Sequence, residues 1–352
     1  MILDAFDSPV GAWLTVTEPA GGSDTIVVSS RVRLARNIAN FPFMSKASAA
    51  QKQELCSLFE QRVAKLGMAN LNFMMLDTAS AHDRQLLLER HLISKNLAAG
   101  EGARGVAVSR DETLSIMVNE EDHIRLQVLR SGLKLQECWA QADQIDNDLQ
   151  QHLEFAFNHR FGYLTACPTN VGTGLRVSVM LHLPALKLNG DMDKVFAAAK
   201  DMHLAIRGLY GEGTEAVGDF YQLSNQTTLG RSEEEIIHEL ESAVLPQVLY
   251  MEQDARQRLL TQRPYLLDDR IGRALGVLKY ARVLSTEETL FHLSYLRLGT
   301  AMGRISGVSM ALLNRLFLWT QSAHLQVEAA RDLDPEARKV HRADVLRKYL
   351  NL

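Results

Sequence analysis

Cysteine is scarce in this chain: Cys56, Cys138 and Cys167 are the only three in 352 residues. Thiols so few and so spaced build neither a disulfide framework nor a zinc pattern, and they fit a reducing compartment. Long apolar runs are also missing, so no stretch offers the roughly 20 residues that a membrane-spanning helix needs. The opening "MILDAFDSPVGAW" carries acids and no basic lead before an apolar core, so no signal peptide is expected. Neither sign of charge is in excess. The 38 Lys and Arg against 42 Asp and Glu leave a net charge of -4, which gives no global attraction to nucleic acid or an anionic membrane. The chain also lacks the common nucleotide signatures. There is no Gly-x-x-x-x-Gly-Lys-Ser/Thr loop, no His-Arg-Asp and no Asp-Phe-Gly, and "GTGLRV" misses the third glycine of a dinucleotide fingerprint. The expectation is a cytoplasmic globular protein without nucleic-acid or membrane partners.

What is present is ordinary globular composition, 46% hydrophobic and 23% charged, long enough for two domains. "TIVVS", Thr25–Ser29, reads as a short β-branched strand running into a basic turn, "SRVRLARN". Residues 48–66 read as a helix and 71–76 as a strand, and "ARGVAVS" and "LSIMVNE" as a hairpin joined by "RDET". From 133 to 157 apolar residues recur three or four apart, the pattern of an amphipathic helix. "GYLTAC" and "LRVSVMLHL" read as strands around the turn "PTNVGTG", followed by a helix over about 191–207 and the strand "FYQLS". Ser232 with Glu235 forms a capping box. After about 255 only helical patterns remain, over 266–282, 286–303, 308–323 and 335–350. The expected fold is therefore α+β, a largely antiparallel sheet flanked by helices over 1–255, followed by a helical C-terminal domain over 256–352.

Chemistry gathers at "NEEDH", Asn119–His123. If 114–122 is one strand, Asn119 and Glu121 share one face, and Glu120 and Asp122 the other. Such acids suit an oxygen-held divalent metal, a general base or a clamp for a cationic substrate. Arg31, Arg33, Arg125, Arg176 and Arg207 all stand at strand ends or glycine-rich turns, where guanidinium forks can converge on phosphate oxygens. Residue types and spacing alone thus give an anion site opposite an acidic site.

The blocks "SSRVRLARN", "NEEDHIRLQ", "CPTNVGTGLRVSVMLHLPAL", "RGLYGEGTEA" and "LSNQTTLGRSEEE", spread over about 26–236, resemble the successive motifs of the phosphagen (guanidino) kinase family, in family order. "MLHLPAL", the short lead and the helical tail resemble its bacterial protein arginine kinase branch most. This resemblance implies the family fold, an antiparallel sheet like that of the glutamine synthetase catalytic domain. It implies that Arg31, Arg33, Arg125, Arg176 and Arg207 bind the phosphates of ATP, with His91 near the adenine. Glu121 and Glu212 would grip the substrate guanidinium, Glu121 acting as the base. The family's reactive cysteine corresponds to Cys167, either a thiolate beside the guanidinium or a buried structural thiol. Mg²⁺ is expected to arrive with the nucleotide, without a direct protein ligand. Glu120, Asp122 and His123 are expected to support the arginines.

The resemblance further implies transfer of the γ-phosphoryl of ATP to arginine side chains of proteins, with the product marking them for a Clp-type unfoldase and protease and a zinc-binding activator assisting. A free L-arginine kinase and a weakly catalytic phosphoarginine-binding adaptor are the alternatives. Only 28 residues precede Ser29, too few for the helical domain that encloses a small substrate in the free-amino-acid kinases. The branch also carries an Arg-Asp-x-x-Arg-Ala phosphoarginine pocket. Its counterpart here is "RKVHRA", with Arg338 and Arg342 retained and Lys339 in place of the aspartate; alternatively, both arginines lie on a solvated helix face. Helices over 286–323 offer either a homodimer face or an internal core.

Overall fold

The computed structural model describes residues 6, 10–15, 25–63, 71–208 and 217–350. It divides into two compact units, each assembled from separated stretches of chain: one from 1–13, 29–179 and 224–243, the other from 14–28, 180–223 and 244–352.

In the first unit five strands are hydrogen-bonded in the order β2 (Leu71–Met75), β3 (Gly105–Ser109), β4 (Leu114–Val118), β5 (Ile124–Ser131), β1 (Val27–Arg36), and β8 (Leu175–His182) follows β1. The β2–β3, β3–β4, β4–β5 and β5–β1 pairs are antiparallel. One face is capped by α2 (Ala81–Glu89) and α3 (Lys95–Ala99), whose Leu87 and Leu97 join Val106, Val108 and Met117 in a closed apolar cluster. α1 (Ala49–Val63) buries Leu55, Cys56, Phe59 and Val63. α4 (Leu135–Gln150) buries Leu135, Cys138, Ala142, Ile145 and Leu149, the stripe its spacing predicts. It stops at Gln150, short of the expected 157. The backbone of 154–156 instead pairs with 37–39, through Ala39 N to Glu154 O at 2.8 Å and Ala156 N to Asn37 O at 2.7 Å. Of "GYLTAC" only Gly162–Tyr163 becomes strand, as β7 of a small hairpin with β6 (Phe157–Asn158). The capping box forms at α7 (Glu233–His238): Ser232 Oγ accepts from Glu235 N, and Glu235 Oε2 from Ser232 N.

The second unit holds the end of β8, then β10 (Phe220–Asn225) and β9 (Leu204–Arg207) beside it. The helix expected over 191–207 is two elements, a helix and a strand, and a separate short helix precedes it. Pro184 opens α5 (Pro184–Asn189) and Gly190 closes it in the left-handed region at φ 78°. α6 (Met192–Asp201) follows, and His203 turns at φ 52° into β9. A π-helical turn at Glu239–Val244 leads into α8 (Leu245–Gln262), so the boundary expected at 255 falls within a helix. Pro264 starts α9 (Pro264–Tyr280), and α10 (Thr286–Ala301), α11 (Met310–Trp319), α12 (Ser322–Glu328) and α13 (Pro335–Leu350) complete the chain. The pattern expected over 308–323 breaks at Thr320, whose hydroxyl bonds back to Leu316 O. No strand follows residue 255 among the described residues, and no described helix is long and apolar enough to cross a membrane.

α10 enters the core of this unit. Ser294 donates to Asp219 Oδ2 at 2.9 Å and lies 2.8 Å from His182 Nε2, all three being buried. Burial, with Arg297 and Arg256 nearby, holds His182 well below the usual histidine range. It is therefore neutral, and its Nε2–H donates to the serine oxygen. The ring stacks on Phe220 at 4.7 Å, which in turn lies 4.5 Å from Phe317 of α11.

Candidate active site

Strand register places the arginines. Arg31 and Arg33 are the two half-exposed positions of β1, while Val32 and Leu34 between them are fully buried. In the β1–β5 ladder Ala35 lies opposite Arg125, and residues directly opposite share a face. Arg31, Arg33 and Arg125 therefore project together. Arg176 joins them from β8, two residues before Ser178, whose Oγ lies 3.4 Å from Arg31 Nε, while Arg176 Nη2 donates to Ser224 Oγ at 3.0 Å. The crowding of cations tells on the two arginines of β1. Arg31 is lowered to about 10 by burial, then by Arg176 and Arg125; Arg33 is lowered well below the usual arginine range by burial, then by Arg31, Arg176 and Arg125. Arg33 Nε is buried without a hydrogen-bond partner among the described residues. Four guanidinium groups gathered on one face describe an anion site.

"NEEDH" is a turn, not a strand end. β4 stops at Val118, and the chain reverses through Asn119, at φ 60°, with Asn119 N to His123 O at 3.0 Å and Glu120 N to Asp122 O at 3.2 Å. Asparagine tolerates this left-handed conformation, and its amide holds the turn down by donating to Lys52 O and Ala103 O. The expected two-face alternation of the acids therefore fails; the turn itself separates them. The Glu120 side chain is 2% exposed, accepts from Ser94 Oγ at 2.7 Å and pairs with Arg125 Nη1. Glu121 keeps 42% of its side chain exposed and accepts from Arg125 Nη2 at 3.1 Å. Burial raises its carboxyl above the usual glutamate range; Arg125 opposes this, and Asp122 and Glu120 add to it.

The expected support of the arginines thus holds for Glu120 alone. Asp122 Oδ1 accepts from Asn37 Nδ2 and Ala166 N, each at 2.7 Å, fixing the segment that leads to Cys167. His123 accepts from Ile38 N at Nδ1 and therefore donates from Nε2 to Pro42 O, both at 3.0 Å, so its neutral ring anchors the chain leaving β1.

Cys167 is half-exposed, which removes the buried-thiol alternative. It precedes a short 3-10 turn (Pro168–Asn170), with its Sγ 3.0 Å from Thr169 Oγ1. The following loop is packed through glycine. At Gly172 (φ 115°) a Cβ would meet Thr228 O at 2.6 Å, and at Gly174 (φ 64°) it would meet Ala35 O at 2.6 Å. Thr228 Oγ1 bonds Thr169 O and Val171 O, and Arg36 Nη1 donates to Thr173 O. Arg36, the third arginine of "RVRLAR", is structural: it is buried, paired with Asp146 at 2.7 Å and stacked 3.5 Å from the Tyr163 ring.

Of the other expected residues, His91 sits at φ 60° with its ring 4.4 Å from Trp13, and burial and then Arg31 lower it to about 3, so it is neutral beside the arginine cluster. Arg207 is the half-exposed last residue of β9 in the second unit. Glu212 lies outside the described residues. Arg342 is buried and donates to Thr320 O and Leu284 O at 2.7 and 2.9 Å, so it does not lie on a solvated helix face. Arg338 donates to Leu333 O at 2.8 Å. Sequence reading missed Ser94, Ser178 and Ser224, which hold the charged groups; the signal for Ser178 was a serine between apolar neighbours in a strand. Among the described residues no three His, Cys, Asp or Glu side chains gather as a metal site.

The arrangement offers an anion site of four arginines beside one exposed carboxylate and one accessible thiol. Comparison with known proteins agrees with it. The ATP:guanido phosphotransferase C-terminal catalytic domain matches residues 54–255, and the protein-arginine kinase McsB C-terminal domain matches 264–352. The chain is 46% identical over 338 residues to a protein-arginine kinase of Symbiobacterium thermophilum, covering 95% of this chain and 96% of that one. It is 47% identical over 337 residues to that of Moorella thermoacetica, with 95% and 96% covered. Among solved structures, a lombricine kinase superposes with a TM-score of 0.58 at 27% identity, over 71% of this chain and 70% of that one. The duplicated taurocyamine kinase of Schistosoma mansoni, with bound transition-state analogue components, gives 0.61 at 25% identity, over 76% and 39%. With relatives this similar over nearly its whole length, the chain belongs to the ATP:guanido phosphotransferase family, in its protein-arginine kinase branch.

Proposed function

We propose that this protein transfers the γ-phosphoryl group of ATP to the guanidinium of arginine side chains in proteins. The observation that carries the reading is the face shared by Arg31, Arg33, Arg125 and Arg176 beside the exposed carboxylate of Glu121. The arginines, with Arg207, hold the phosphates, and neutral His91 lies toward the adenine. Protonated guanidinium is a poor nucleophile. As its nitrogen bonds to the γ-phosphorus, the bond from phosphorus to the β,γ-bridging oxygen breaks and ADP leaves, and the nitrogen's proton passes to Glu121. Glu212 completes the carboxylate clamp, and Cys167 takes a guanidinium nitrogen. Positioning and charge neutralisation supply most of the acceleration in such transfers. Mg²⁺ travels with the triphosphate, held by its oxygens and water. In the cell, the reading extends to a cytoplasmic homodimer with a catalytic part over 1–255 and a helical part over 256–352. The tail's Arg338 and Arg342 belong to a phosphoarginine pocket, a zinc-binding activator assists, and a Clp-type protease consumes the product.

Incubation with Mg-ATP and a mixture of free L-arginine and an unfolded protein tests the activity. Mass spectrometry is expected to find acid-labile phosphate on protein arginines, reduced on the order of 100-fold or more in Glu121→Gln. Phosphate on free arginine alone, or tight phosphoarginine binding without ATP consumption, would overturn the reading.

A further inference from the structure

The hairpin Phe157–Tyr163 exposes two large aromatic rings within five residues: Phe157 is 53% and Phe161 44% accessible. Single exposed apolar side chains are common on any protein. These two stand on one short hairpin. The Phe157 ring lies edge-on to Tyr163 at 5.3 Å, and the Arg160 guanidinium sits 5.3 Å above Phe161. Asn158 Oδ1 accepts from Arg160 N at 2.9 Å and closes the tip. The base is built into the active site. Tyr163 carries the stacked Arg36 and donates its N–H to Gly172 O at 2.8 Å. Asn37 Nδ2 bridges Leu164 O and Asp122 Oδ1, and Asp122 Oδ1 also takes Ala166 N. The residue after Asp122's upstream neighbour, Glu121, is thus hydrogen-bonded to the residue before Cys167, and Phe161 stands six positions before that cysteine.

We infer that Phe157 and Phe161 form an aromatic rim that takes an apolar side chain of the protein substrate, a few residues from the arginine being phosphorylated. This rests on the reading that protein arginine is the substrate. An extended polypeptide advances about 3.3 Å per residue, so a residue near the target arginine is carried past the groups beside the guanidinium. Exposed aromatic rings offer a large contact area with only two side-chain torsions to fix. Continuity with the site favours the substrate chain as occupant over a second copy of this protein.

Two peptides test it, each with one arginine: one flanked by Phe and Leu, the other by Gly and Ser. The wild-type protein is expected to favour the apolar peptide about fivefold in kcat/KM, mainly through KM. Phe161→Ser and Phe157→Ser should each reduce that preference, with KM for ATP and turnover of the Gly/Ser peptide unchanged. Phe161→Leu should restore part of it. Phe157 packs on Tyr163, so Phe161→Ser, away from that contact, keeps the test valid if Phe157→Ser unfolds. Equal kcat/KM for the two peptides in the wild type, or a preference that survives Phe161→Ser, overturns the inference while leaving the proposed activity intact. So does a variant that changes only the sedimentation coefficient, which would make the rim a contact between copies. A wild-type protein that phosphorylates neither peptide removes the activity reading, and the inference with it.

Discussion

Glu120 and Glu121 are adjacent in sequence and alike in chemistry; burial separates their roles. Glu120 is enclosed, committed to Arg125 and Ser94, whereas Glu121 faces outward and shares only the other edge of the same guanidinium. Glu121's raised pKa fixes the sign of a pH effect. A base works only when deprotonated, so activity should fall as pH drops through a value above the usual ~4.3 of glutamate. Replacing Glu120 by Gln removes a negative neighbour and frees Arg125 for Glu121. Both changes favour the carboxylate, so the acid limb of kcat/KM should move to lower pH; an unmoved limb would separate it from Glu121. "NEEDH" was legible as chemistry because three consecutive acids are costly without a use. Which acid does what was not, because strand alternation was the wrong rule for a five-residue turn held by Asn119. Asp122 and His123 bond partners at positions 166, 37, 38 and 42, and no local pattern carries that information.

Between residues and the whole molecule stands the loop from Cys167 to Arg176. Its glycines are there because backbone passes too close for a Cβ. Gly174 combines φ 64° with an Ala35 carbonyl at 2.6 Å, in the strand that bears Arg31 and Arg33. Gly174→Ala must either strain the turn or push β8 from β1. A loss of about 1–3 kcal/mol in denaturant unfolding is expected, with a rise in KM for ATP because Arg176 is the second residue of the displaced strand. Unchanged stability and KM would show that the loop yields freely. Elements with strong local signals were readable at this scale: the β3–β4 hairpin, the α4 stripe, the Ser232 capping box and the helices of the tail. β9 was not. "HLAIR" continues an apolar helical spacing from α6, and only the turn at His203 and pairing with β10, a contact made through the sheet, convert it to a strand. α4 ended early for the same kind of reason, since the partners of 154–156 lie over a hundred residues away at 37–39.

The compact units do not follow the order of the chain, and this bears on what the helical tail is for. A sequence that loses its strands after 255 suggests an appended domain. Within the second unit, however, the tail supplies the core for residues 180–223. Ser294 of α10 satisfies both Asp219 and His182, and Phe317 of α11 covers Phe220. Leu290, Leu293, Leu296, Leu316 and Leu318 of these two helices are buried to 2% exposure or less. Each fully buried side chain of this size contributes about 1.5–3 kcal/mol, so losing even these five rivals the roughly 5–15 kcal/mol that stabilises a typical domain. A chain ending at 255 would also leave His182 and Asp219 without their shared serine. The expectation is that residues 1–255 alone do not fold: no cooperative thermal transition, no near-ultraviolet circular dichroism, and no ATP binding by calorimetry. The full chain under the same conditions should show all three. A truncated chain that unfolds cooperatively and binds ATP would mean that the tail is an accessory after all, and that the packing of α10 and α11 against 180–223 is dispensable for the strand that carries Arg207.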